Sequence, residues 1–315
     1  MSDKKATRAA YGEALCELAE KYPKLVVLDA DLSAATMTKG FAAAYPDRFF
    51  NCGIAEANMT AIAAGMAASG LKPFTNTFAI FAAGRAYEQV RNSIAYPHLN
   101  VVVVGSHGGV SVGEDGATHQ MIEDLALMRV IPDMTIVNPC DANEMRQAVE
   151  ALINYDGPAY LRLGRSPVDV VTDQCEGYKF ELGKGAVLRD GTDVTIVATG
   201  LGVQLALGAA DLLAAGNISA RVIDIHTIKP LDNELIIKAA RDTGCIVTVE
   251  EHNIVGGLGG AVAELLSGEY PVPVIRHGVN DTFGRSGKAA EVLEYFNLTA
   301  EGVAESARKA IAKKA

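Results

Sequence analysis

The chain has 315 residues, nearly half of them apolar, with 31 glycines and no tryptophan, which suits one or two globular domains with proper cores. Its formal net charge of -10 argues against a broad nucleic-acid or anionic-membrane surface, while a local basic cluster could still hold a small anion. Five scattered cysteines, Cys16, Cys52, Cys140, Cys175 and Cys245, are odd in number and lack CxxC spacing; this argues against a disulfide framework or zinc site and for a reducing compartment.

The opening residues, Met1-Ser2-Asp3-Lys4-Lys5, begin no apolar targeting segment. No apolar run approaches the ~18 residues of a membrane span, so a cytoplasmic location is expected. Residues 6–21 predict an amphipathic helix, with Ala10, Leu15 and Leu18 among its apolar positions. Strands are predicted at 25–28, 49–54, 74–78, 101–104, 134–137 and 159–163, with helices at 56–69 and 82–95. This alternation means a mostly parallel sheet covered on both faces. Near 168–190, Pro167, Asp169, Asp173, Glu176 and Gly177 break the apolar pattern, and 178–182 alternates like an edge strand. The rhythm then restarts, with strands at 194–198, 221–225, 246–249 and 274–276 and helices near 203–215, 233–243, 258–267 and 287–294. The expected fold is therefore α/β in two domains, 1–175 and 176–315.

The densest polar stretch follows the valines at 101–104. Residues 105–120 read Gly-Ser-His-Gly-Gly-Val-Ser-Val-Gly-Glu-Asp-Gly-Ala-Thr-His-Gln and carry His107, Glu114, Asp115 and His119. Ligands of open α/β sheets bind at the carboxyl ends of strands, so this is either a site or a solvated glycine loop. Glu56 opens an Ala-rich helix. It either complements the helix dipole or sits among Ile54, Ala55, Ala57 and Met59 in a poorly solvated pocket that raises its pKa. Phe78 and Phe81, three apart, suit a core or an aromatic platform. Arg8 and Arg165, taken alone, read as solvating a face. Asp31, at a strand end, is an N-cap or a site residue. The glycines at 256, 257, 259 and 260 follow Glu250-Glu251-His252; they make a weak dinucleotide fingerprint and a better glycine-lined helix start. There is no P-loop and no Gly-Asp-Gly motif.

Ser-His followed by Gly-Glu-Asp-Gly-x-Thr-His-Gln resembles the substrate loop of transketolase, a thiamine-diphosphate enzyme, and the similarity extends over nearly the whole chain. It covers only the C-terminal half of a full-length transketolase, so the resemblance implies a pyrimidine-binding domain followed by a transketolase C-terminal domain. Gly-Ile-Ala-Glu at 53–56 is similar to the motif whose glutamate contacts N1′ of the thiamine aminopyrimidine. The resemblance makes Glu56, His107 and His119 catalytic, and Glu56, Phe81, Phe78 and Asp31 cofactor-binding. It places Arg8, His107, Asp115, His119 and Arg165 on the substrate, with the arginines and His107 on its phosphate. A family serine is replaced here by Ala35, with Ser33 or Thr36 as candidate substitutes. Gly84 stands where single-chain transketolases carry an aromatic, and Gly84-Arg85-Ala86-Tyr87 resembles deoxyxylulose-phosphate synthase and 2-oxo-acid dehydrogenase beta subunits.

The family anchors its diphosphate and metal through a Gly-Asp-Gly motif and a later asparagine. Without it, the resemblance implies a partner: an N-terminal transketolase subunit holding Mg²⁺ or Ca²⁺, with two of each chain in a heterotetramer. This chain itself would hold no metal. The expected activity is transfer of a two-carbon ketol unit from a ketose phosphate to an aldose phosphate. The alternatives are a subunit like the dehydrogenases or the synthase just named, or a non-catalytic regulatory paralogue.

Overall fold

The computed structural model describes residues 4–175 and 177–314. Glu176, one of the boundary residues, and the Met1-Ser2-Asp3 start lie outside the described residues. The first half runs β1 (Lys5–Ala6), α1 (Thr7–Leu18), β2 (Leu25–Asp29), α2 (Lys39–Ala44), β3 (Phe49–Asn51), α3 (Glu56–Ala68) and β4 (Lys72–Phe78). Then come a helical stretch centred on α4 (Tyr87–Gln89), β5 (Val102–Ser106), α5 (Asp124–Arg129), β6 (Thr135–Val137), α6 (Ala142–Asn154), β7 (Ala159–Arg162) and β8 (Pro167–Val168). The second half contains β9 (Ala186–Arg189), β10 (Val194–Ala198), α7 (Gly202–Ala214), β11 (Ala220–Asp224), β12 (Thr227–Lys229), α8 (Asn233–Thr243), β13 (Ile246–Asn253), α9 (Leu258–Glu269), β14 (Val274–Val279), α10 (Ala289–Tyr295) and α11 (Ala300–Ile311).

A seven-stranded sheet has the order β12-β6-β7-β5-β4-β2-β3 and a five-stranded sheet the order β14-β13-β10-β11-β9. Within these two sheets the pairing is parallel except at the edge strands β12 and β9, and β1 pairs antiparallel with β8 in a separate two-stranded sheet. The β-branched run at 101–104 becomes the buried centre of the first sheet because helices cover both faces. Val103 faces one apolar core, and Val102 and Val104 the other. Burying each such side chain contributes roughly 1.5–3 kcal/mol.

Several expectations shift. Residues 178–182 form no strand. The Phe180 ring is buried against the His226 ring at 4.1 Å, and its N–H donates to Gln147 Oε1 at 3.0 Å. Packing between the halves takes the segment away from pairing, and β9 supplies the edge instead. The strand expected at 49–54 stops at Asn51, since Gly53 turns with φ 69°. The helix expected at 82–95 starts at Ile80 and contains two π-helical turns, Ile80–Arg85 and Val90–Ala95. Helix α6, which is not among the expected elements, is capped by Asp141, whose carboxylate accepts the Glu144 N–H at 2.9 Å. Strand β12 was also unforeseen: it lies in the second half yet pairs with β6 in the first sheet, so the halves interlock beyond a simple linker.

Where they interlock, Cys140, Glu144 and Asp224 are fully buried with ligand-type atoms within 4.8 Å of one another. Glu144 accepts the Cys140 N–H at 2.6 Å and the Tyr178 hydroxyl. Among the described residues no donor reaches either Asp224 oxygen. Burial and the Glu144 carboxylate push the Asp224 pKa well up, so a proton on Asp224, donated to Glu144, resolves an acceptor–acceptor contact. A raised folded pKa favours the folded state fully below the unfolded value of about 3.9 and loses that advantage as pH rises toward the folded pKa. Asp224→Asn, which keeps a donor facing Glu144, is therefore expected to melt higher than wild type at pH 8, with the gap shrinking toward pH 5. Calorimetry across that range checks it; a gap that does not change with pH would contradict the shared proton.

Candidate active site

The carboxyl ends of the parallel strands bring most of the predicted site residues together. In the register of β4 and β5, Phe78 lies opposite Ser106. Its ring therefore meets that of the next residue, His107, at 4.2 Å between centroids. Phe81, one turn into the following helix, stacks on Phe78 at 6.0 Å and 13°. His119, returning from the far end of the loop, stands edge-on to both phenyl rings at 6.3 and 5.7 Å. Two phenyl rings and two imidazoles thus form one wall.

Glu56 is the first residue of α3 and only 2 % exposed. The pocket differs from the one expected, because Ile54 is 77 % exposed and does not enclose the carboxylate. The carboxylate's side-chain partner is Arg85. The Arg85 Nη1 donates to both Glu56 oxygens at 3.0 Å, and its guanidinium carbon lies 4.5 Å from the centroid of the Phe81 ring. Arg85, within Gly84-Arg85-Ala86-Tyr87, is not among the site residues expected from the sequence. A basic residue one helical turn after an aromatic platform was the available signal. The Arg85 side chain is half exposed, so the pair closes the site on one side only.

Arg8, His107 and Arg165 converge from α1, β5 and the segment after β7. Arg8 Nη1 donates to the Ala35 carbonyl at 2.8 Å and stands 3.5 Å from His107 Nε2. His107 has φ 60°, and its Nδ1 lies 2.8 Å from Ser106 Oγ. Burial, then Arg8 and Arg165, hold its pKa down at about 3, so the imidazole is neutral at pH 7. Burial and Arg165 likewise lower the Arg8 pKa. Arg165 Nη1 donates to the Val112 carbonyl and reaches the exposed Glu114 at 3.3 Å. Two mutually repelling guanidinium groups flanking a neutral imidazole make a site that an anion would relax.

Two candidates lie apart from this arrangement's polar contacts. Asp31, exposed with φ 65°, accepts the Asn51 side-chain amide at 2.9 Å. Buried Asp29 instead holds the turn that follows, accepting the Leu32 N–H at 2.5 Å and the hydroxyls of Thr36 and Thr38 at 2.7 and 3.0 Å. The Thr36 hydroxyl, a candidate substitute for the serine at Ala35, is committed to Asp29. Asp115 is exposed on the loop.

The geometry of the site suits one part of thiamine diphosphate and not the other. A buried carboxylate, a planar aromatic face and open space beside Gly84, where an added Cβ meets nothing within 4 Å, suit the aminopyrimidine. The diphosphate finds no comparable cradle among the described residues. The glycine-rich start of α9 is filled by Glu250, whose carboxylate accepts the Leu258 and Gly259 N–H groups at 2.7 Å each. A Cβ on Gly257 would lie 2.0 Å from Glu250 Oε2; the glycines make room for that cap, not for a dinucleotide. Asn143 donates to Thr172 Oγ1 at 2.9 Å. The closed Cys140–Glu144–Asp224 cluster offers a thiol where Mg²⁺ prefers oxygen ligands and several waters.

Residues 3–169 match the family model "Transketolase, pyrimidine binding domain" and residues 183–303 match "Transketolase, C-terminal domain". The chain is 49 % identical over 302 residues to a putative transketolase C-terminal section of Methanocaldococcus jannaschii, covering 96 % of this chain and 95 % of that protein. It is 44 % identical over 307 residues to a 6-deoxy-6-sulfo-D-fructose transketolase subunit of Clostridium sp., covering 98 % and 95 % respectively. Among solved structures, one described as a split gene transketolase, inactive beta4 tetramer, superposes with a TM-score of 0.91 at 50 % identity, over 99 % of this chain and all of that one. All five cysteines are free. Among the described residues no helix is long and apolar enough to cross a membrane.

Proposed function

We propose, from the premise that the chain belongs to the transketolase family and corresponds to its pyrimidine-binding and C-terminal domains, that it is the C-terminal subunit of a two-chain ketol transferase. The observation that carries the reading is the convergence, at one end of one sheet, of buried Glu56 beside Phe81 with the Arg8–His107–Arg165 anion site. When bound, thiamine diphosphate supplies the electron sink for a two-carbon ketol unit. Glu56 would hold or share a proton at N1′ of the aminopyrimidine, with Arg85 beside it. Phe81 and Phe78 orient that ring. His119, at the mouth of the aromatic wall, donates to or takes a proton from the donor sugar's carbonyl and C1 hydroxyl. Neutral His107 and the two arginines hold the sugar's phosphate, and Asp115 receives a hydroxyl and reads stereochemistry. A sulfonate, such as the substrate named for the Clostridium relative, suits the same guanidinium groups; competition by phosphorylated and sulfonated ketoses would rank the two.

The diphosphate and Mg²⁺ fall to a partner chain, with cofactor bound between subunits and two of each chain assembled. The relative described as an inactive tetramer of its β chain supports this division. The test is turnover and cofactor binding by the purified chain with and without an N-terminal transketolase subunit. Alone, it is expected to bind thiamine diphosphate poorly and to transfer no ketol groups; mixing should restore both. Steady turnover by the single chain would refute the reading.

A further inference from the structure

The loop that joins His107 to His119 is floored by the second half of the chain. Glu251, on β13 and 5 % exposed, reaches out of its own sheet and accepts the Ser111 backbone N–H. The approach depends on a glycine: Gly109 has φ 87°, and a Cβ there would stand 2.3 Å from Glu251 Cδ. Arg162 Nη2 clamps the same crossing, donating to the carbonyls of Met121 at 3.2 Å and Glu251 at 3.0 Å. Gln120 Nε2 adds a second tether, donating to Gly113 O at 3.1 Å and Arg285 O at 2.8 Å. Beneath these, Val110 and Ile122 share an apolar cluster with Val279, Val292, Phe296 and Leu298. A glycine-rich segment has many conformations to lose, and a buried charged acceptor is a strong way to select one.

We propose that Glu251 is a positioning residue, which fixes the loop at 109–113 and so sets the two histidines at its ends, giving the C-terminal domain a part in binding substrate. The consequence for turnover rests on the ketol-transferase reading; the tether itself does not.

Amide hydrogen exchange on the chain alone tests the tether. Glu251→Ala is expected to raise exchange at 109–113 by about 10- to 100-fold, the loss of one charge-assisted bond, with β2, β4 and β10 unchanged. Glu251→Gln keeps a carbonyl acceptor for Ser111 and should restore most of the protection. If Glu251→Ala does not fold, Gln120→Ala carries the test through the second tether, with the same local loosening expected. Exchange rising equally in loop and sheets, or in neither, would overturn the proposal. In the assembled enzyme, a loosened loop should raise KM for a phosphorylated donor by about 10-fold with a smaller change in kcat. A variant that only reduces folded protein lowers kcat at unchanged KM, and that result would also overturn it. If wild type with its partner shows no transfer, the reaction fails while the exchange result stands.

Discussion

Glu56→Gln is expected to slow hydrogen–deuterium exchange at C2 of bound thiamine diphosphate by about 10²–10⁴-fold, the range of a positioned general acid or base. The substitution keeps the volume of a side chain that is 2 % exposed, and its carbonyl can still accept from Arg85 at the 3.0 Å donor position. What it removes is the carboxylate that can share a proton with a ring nitrogen. Folding should survive, because Met59 and Thr60 pack the same turn without using that charge, and the Thr60 hydroxyl bonds the Glu56 carbonyl at 2.8 Å. Nuclear magnetic resonance of quenched complexes, with melting temperature as the control, separates the two. Unchanged exchange at C2 would leave Glu56 as a helix-end acid paired with Arg85 and nothing more.

Arg165→Ala should lower kcat/KM for phosphorylated substrates by about 10- to 100-fold. A charge-assisted hydrogen bond contributes roughly 1.5–3 kcal/mol, and the phosphate is remote from the bond being broken. Most of the loss should appear in KM, with a smaller part in kcat through poorer orientation of the sugar. Hydroxypyruvate, which has no phosphate, should be used nearly as well as before. The arginine also holds the Val112 carbonyl and Glu114, so a structural role is a real competitor. Equal losses with phosphorylated and unphosphorylated donors would assign Arg165 to loop support and withdraw the anion site. Ala35 sharpens the expectation, because its carbonyl already occupies Arg8 and Thr36 is held by Asp29.

The strand–helix rhythm is legible in the chain alone, because burial on both faces leaves a run such as 101–104 little alternative to a central parallel strand. So is the polar loop after that strand, since a glycine-rich, histidine-bearing segment at a strand's carboxyl end has a recognisable composition. The separation of Glu56 from Phe81 and His107 in the chain meant that their meeting was available only through motif resemblance. Tertiary structure decided what periodicity does not encode. Arg85 closes on Glu56, 29 residues earlier in the chain, and Ile54 points to solvent although its hydropathy suggests a pocket wall. The segment 178–182 has a strand's alternation, yet Phe180 is claimed by His226. Strand β12 joins a sheet whose other members lie far back in the chain, and Glu251 crosses between halves to hold Ser111. Each of these depends on partners distant in sequence, where local pattern and propensity carry no information about which surface a side chain will meet.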